Sequence, residues 1–151
     1  MTRMTARQIA VQLLFSMEAN GSSVDETMTL FFSDGHYCSL EDENEIYLES
    51  PDEEQSAYIQ RVLQTTKDHL TEIDSMISRY SNSWKINRLS KTTLAILRCA
   101  ICEILYMEDI PDSAAVNEAV EIGKKYDSPQ AGVFINGLLG TLLRAEKPAE
   151  E

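Results

Sequence analysis

The sequence predicts an all-α protein of about seven helices. Apolar residues recur every three to four positions through most of the chain, caps and breakers punctuate those stripes, and no segment keeps the two-residue alternation of a strand. The 151 residues, 43% hydrophobic, suit one domain or two small packed halves, and no apolar run approaches a membrane span.

Residues 4–19 form the first expected helix, with Ala6, Ile9, Ala10, Leu13, Leu14 and Met17 on one face. Asn20-Gly21-Ser22-Ser23 stops it. Ser23 or Asp25 starts a shorter helix through Met28, Leu30, Phe31 and Phe32. Residues 33–54 are rich in Asp and Glu and read as a solvated, partly helical acidic insertion; the functional alternative is mimicry of RNA or docking of a basic partner. Within Ser50-Pro51-Asp52-Glu53-Glu54, serine as cap, proline in the first turn and acids at the positive dipole end predict a helix start. Ile59, Val62, Leu63, Thr66, Leu70, Ile73, Ile77 and Tyr80 carry that helix to about residue 80. Ser81-Asn82-Ser83 breaks it, and Trp84, Ile86 and Leu89 suggest a single helical turn.

Ser90 or Thr92 then caps a helix apolar on most sides (Leu94, Ile96, Leu97, Ala100, Ile101, Ile104, Leu105), which is expected to be central and buried. Pro111 precedes Asp112 and Ser113, either able to cap the next helix, whose apolar positions are Val116, Ala119, Val120 and Gly123. Asp127-Ser128-Pro129 ends it, because the residue before a proline is pushed out of the helical region. Phe134, Ile135, Leu138, Leu139, Leu142 and Leu143 mark the last helix.

A net charge of −12 argues against a general nucleic-acid binder, but its distribution is uneven. Residues 1–7 carry Arg3 and Arg7 and no acid, residues 8–60 hold twelve acids and no Lys or Arg, and residues 61–151 are nearly neutral. From Ser75 to Cys102 there is no acid at all, while Lys85, Arg88 and Lys91 form a basic strip that can coexist with an acidic whole. The N-terminus lacks the apolar core of a secretory signal, and the odd set Cys38, Cys99 and Cys102 gives no disulfide framework, so a reducing cytoplasm is the expected compartment.

His36 and His69 stand in no nucleophile elbow, phosphate loop or zinc-helix spacing, and a non-enzyme is expected. Cys99-Ala100-Ile101-Cys102 with His36 and Cys38 formally supplies a zinc set, yet two cysteines inside an aliphatic run read as small core residues, and neither metal nor cofactor is expected.

Three blocks carry a family resemblance: TARQIAVQLLF from Thr5; WKINRL from Trp84 with Leu94, Ala95, Ile96, Leu97, Arg98, Ala100 and Glu103; and VNEAVEIGKKY from Val116 followed by FINGLL from Phe134. In this order they resemble the NusB family of bacterial transcription antitermination factors. The resemblance implies two small packed helical bundles within one domain, here 1–80 and 81–145 with a 146–151 tail. It also implies binding of boxA-like single-stranded RNA in ribosomal RNA leaders, together with the ribosomal protein NusE, within an RNA polymerase complex. Arg3 and Arg7, four apart and able to face one side, are the phosphate contacts it suggests. Lys124, Lys125, Tyr126 and Phe134, at the turn between the last helices, are the second contact, with Phe134 either stacking a base or joining the core.

Asn117, Glu118 and Asn136 are polar residues embedded in the signature; as buried groups they would join the last two helices by hydrogen bonds. Departures from the family pattern matter too. Met4 and Thr5 stand where arginine is common, Ala131-Gly132-Val133 where a serine and lysine are frequent, and Thr93 and Leu94 where an acid near the NusE-facing surface and a basic residue are usual. Unaided RNA affinity is therefore expected to be weak and modestly salt-dependent. Two other readings stand beside this one: a protein-binding adaptor that has lost RNA, and a module like that of ribosomal RNA cytosine methyltransferases, against which the end of the chain at Glu151 speaks. Monomer and homodimer, the latter covering part of the RNA surface, are both open.

Overall fold

The structure, a computed structural model, describes residues 1–33, 51–81 and 88–148. Among them are seven helices and no strand: α1 Arg3–Asn20, α2 Val24–Phe31, α3 Glu53–Asp68, α4 Leu70–Tyr80, α5 Lys91–Tyr106, α6 Asp112–Tyr126 and α7 Pro129–Glu146. The expected turn at Trp84, most of the acidic insertion, and the ligand candidates His36 and Cys38 lie outside the described residues. No described helix is long and apolar enough to cross a membrane. Two compact units are present, Met1–Gln64 and Thr65–Glu151, whereas the sequence reading divided the halves at 80/81.

Local chemistry sets the helix ends. Thr2 caps α1 by accepting from Thr5 N at 3.2 Å, and Gly21 closes it in the left-handed region at φ 68° while its N–H reaches the Met17 carbonyl. Ser23 caps α2, Ser90 caps α5 and Ser128 caps α7, each accepting the backbone N–H three residues on. Two expected helix starts are corrected. Asp52 receives the Gln55 N–H at 2.8 Å, and α3 begins at Glu53, so Pro51 precedes the helix rather than entering its first turn; Ser50, the expected cap, lies outside the described residues. Neither Asp112 nor Ser113 caps α6: Pro111 holds the cap position with no side-chain bond, and Asp112 is already helical.

The helix expected to run unbroken to residue 80 is interrupted at His69, whose backbone leaves helical geometry at φ −117°, ψ 22°. Bonds from His69 N to the Thr65 carbonyl and from Ile73 N to the His69 carbonyl carry the ladder across, so the apolar stripe keeps its phase.

In the first unit, α1 buries Ala6, Ile9, Ala10, Leu13 and Leu14, and α3 buries Tyr58, Ile59, Val62 and Leu63. In the second unit, α5 is the expected central helix, buried without interruption from Thr93 to Ile104 and packed against α4, α6 and α7. Cys99 and Cys102 lie inside this core, near Glu103 and Met107 respectively. Arg98 of α5 grips Asp74 of α4 with two parallel bonds of 2.9 and 2.8 Å, the fork-to-fork geometry in which guanidinium and carboxylate pair best.

The α6–α7 pair packs closely at two glycines. A Cβ on Gly123 would stand 2.6 Å from Ile135 Cδ1, and one on Gly132 would stand 2.8 Å from Lys124 Cγ and 3.3 Å from the Val120 carbonyl. Glycine at both positions lets the backbones close in. Asn117 and Asn136 do not make the joint that was expected of them. Both are exposed and neither makes a side-chain hydrogen bond among the described residues; Glu118 alone of the three is half-buried.

Candidate nucleic-acid interface

The structure gathers the predicted residues into two clusters, one in each unit. The first stands at the head of α1. Capping by Thr2 starts the helix so that Arg3 is its first residue, and no acid occupies the first turn. Unsatisfied N–H groups and the positive dipole end therefore lie beside an arginine, an arrangement that favours anions. Arg3 and Arg7 do converge on one side, and their guanidinium carbons lie 4.1 and 5.8 Å from the centre of the Tyr58 ring on α3. Arg3 Nε donates to Gln55 Oε1 at 2.8 Å, and its Nη2 lies 3.8 Å from Glu54 Oε1.

The two arginines are unequal. The Arg3 side chain is 33% exposed, whereas Arg7 is 3% exposed. Arg3 is accessible to solvent, whereas Arg7 is closed off from it. Tyr58 and Gln55 escaped the sequence reading. They sit three apart on α3, more than fifty positions from Arg3, and no local pattern links such residues.

The second cluster surrounds the turn between α6 and α7. Lys124 and Lys125 occupy the last turn of α6, where cations suit the negative dipole end. Lys124 pairs with Glu121 at 3.4 Å, and Lys125 Nζ lies 5.0 Å from the centre of the Tyr126 ring. Phe134 divides its surface between core and solvent and, with the widely exposed Val133, lines an open groove of about 450 Å³. Arg88, Gln130, Asp127 and Ser128 share that groove, giving a cation, an amide, a carboxylate and a hydroxyl beside an aromatic face. The basic strip had pointed to Arg88 without tying it to Phe134, and nothing in the sequence marked Gln130.

Asp127 fixes this turn. Its Oδ2 accepts from both Ser90 and Thr93 Oγ1, the latter at 2.7 Å, tying the start of α5 to the end of α6. Thr93 and Leu94, the departures noted at the partner-facing position, are both 4% exposed, and Thr93 spends its hydroxyl inside the chain.

Compared with known proteins, residues 4–144 match the NusB family model. The transcription antitermination protein NusB of Ruminiclostridium cellulolyticum is 39% identical over 99% of this chain and 94% of its own length. The NusB of Natranaerobius thermophilus is 40% identical over 92% of each. Among solved structures, T. maritima NusB superposes with a TM-score of 0.75 at 30% identity, covering 99% of this chain and 94% of that one. A crystal structure of antitermination factors NusB and NusE in complex with dsRNA shares the fold, with a TM-score of 0.75 at 24% identity over 95% of this chain and 96% of that one.

Proposed function

We propose, from the premise that this chain belongs to the NusB family, that it is a cytoplasmic, non-enzymatic transcription antitermination factor acting on ribosomal RNA leader transcripts. It binds boxA-like single-stranded RNA jointly with NusE and tethers that RNA to elongating RNA polymerase. The observation that carries this is the acid-free, capped head of α1, where Arg3 is held half-open over Tyr58 with Arg7 beneath it. Such a site takes a phosphate from the chain's one markedly basic end. The groove of Phe134, Gln130 and Arg88 then supplies what a splayed nucleotide needs: a ring to stack on, an amide for a base edge and a cation for the backbone. Lys124, Lys125 and Tyr126, in the last turn of α6, are the further contacts of this second surface.

The work is assembly. Two modest RNA-binding surfaces on partner proteins act as one when the proteins are joined, because the second contact becomes intramolecular. A homodimer that covered the α1 head would hold the factor inactive. The test is transcription in vitro with RNA polymerase and NusE on a template carrying a boxA-type leader before a terminator. Adding the protein raises read-through, and mutating boxA removes the gain. Unchanged read-through contradicts the proposal.

A further inference from the structure

The first turns of α3 stand against Arg3 in a way that antitermination by itself does not require. Gln55 and Tyr58 are three apart and so neighbours on one helix face, 8% and 4% exposed. The backbone N–H of Gln55 is tied to Asp52 Oδ1 at 2.8 Å, which fixes the helix start from which its amide projects. That amide oxygen takes the Nε–H of Arg3, and the Tyr58 ring lies under the guanidinium at 4.1 Å. Nε and one face of the group are thereby occupied, and the Nη edge is left outward. Nη1 has no partner among the described residues, and Nη2 has only Glu54 Oε1 at 3.8 Å, beyond hydrogen-bonding distance, from a side chain 80% exposed.

We infer that Gln55 and Tyr58 are positioning residues that preset the Arg3 fork for a phosphate of single-stranded RNA, and that Glu54 tempers its affinity by holding the same edge until phosphate displaces it. The inference rests on the RNA-binding reading above. A long arginine loses much rotamer freedom when it binds; one already fixed by an aromatic face and an amide loses less, and its two Nη groups match two phosphate oxygens. Glu54 acts oppositely, as a weak exposed ion pair that must be broken first.

A double-mutant cycle tests this, read by fluorescence anisotropy with a labelled boxA-type RNA and NusE present. Gln55→Leu, Glu54→Gln and the neighbouring charge control Glu53→Gln are each made in the wild-type and Arg3→Ala backgrounds, and thermal melts check folding. Losing one charge-assisted bond weakens RNA binding about fivefold in Gln55→Leu, and Glu54→Gln tightens it about twofold, more than Glu53→Gln does. Both effects vanish when Arg3 is alanine. Effects that persist without Arg3, or a Glu54→Gln gain no larger than that of Glu53→Gln, overturn the inference and leave the RNA reading standing. Should the wild type bind no RNA even with NusE, the RNA reading falls and this inference with it. Because Glu54 is exposed, its variant stays informative even if Gln55→Leu unfolds.

Discussion

Tyr80 donates its hydroxyl proton to the Glu146 carboxylate, and chiefly through that bond, with burial adding to it, its pKa rises above the ordinary 10.0. Tyr106 is raised as well, there mainly by burial, with Glu72 and then Cys102 contributing. In both, folding favours the protonated phenol, so the stabilisation is complete below pH 10 and is lost as pH climbs through the higher folded value. Glu146→Ala should return Tyr80 toward its ordinary pKa and leave Tyr106 where it is, as followed by site-resolved NMR titration of the phenolic carbons. An unmoved Tyr80 would remove Glu146 as the cause. The same dependence on neighbours separates Arg3 from Arg7. Their shared direction was legible, because a four-residue spacing puts both on one side of a helix. That one is half-open and the other buried was not, since the partners that decide it come from α3.

At the level of elements, the α6–α7 joint is made by what two glycines lack. Gly123→Val would push a branched side chain into the fully buried Ile135, and overpacking of this kind costs about 1–3 kcal/mol. Gly137, on the exposed side of α7, meets nothing within 4 Å of an added Cβ. Gly137→Ala should therefore stabilise by about 0.5–1 kcal/mol through helix propensity alone. Chemical denaturation of the two variants checks the contrast, and equal effects would mean the close approach is not what holds the pair.

The helices themselves were largely legible, because stripe and cap are local signals: the Ser23 and Ser90 caps and the buried α5 follow directly from them, whereas Asp127-Ser128-Pro129 read only as the end of one helix and not as the cap of the next. The break at His69 was hidden because the apolar phase continues through it. The role expected of Asn117 and Asn136 failed for a related reason. A polar residue at helical spacing reads as embedded in the core or as lying on the outer face depending on the helix's rotation, and the glycines, not the asparagines, fix that rotation here.

Across the whole molecule, charge decides how RNA is met. A net charge of −12, with twelve acids in residues 8–60, repels polyanions in general, and the two arginines before that stretch give one end a local exception. Few phosphates can be neutralised at such a site, so the total salt slope, about −0.7 per contact on single-stranded RNA, should be shallow, and a partner is expected to supply the remaining affinity. The most direct measurement is an anisotropy titration of labelled boxA-type RNA with the protein alone, with NusE, and with an Arg3→Ala/Arg7→Ala variant beside NusE. Weak binding alone, sharp tightening with NusE and its loss in the double variant are the expected results. Absence of RNA binding by the protein–NusE pair would contradict the antitermination role and leave a protein-binding adaptor.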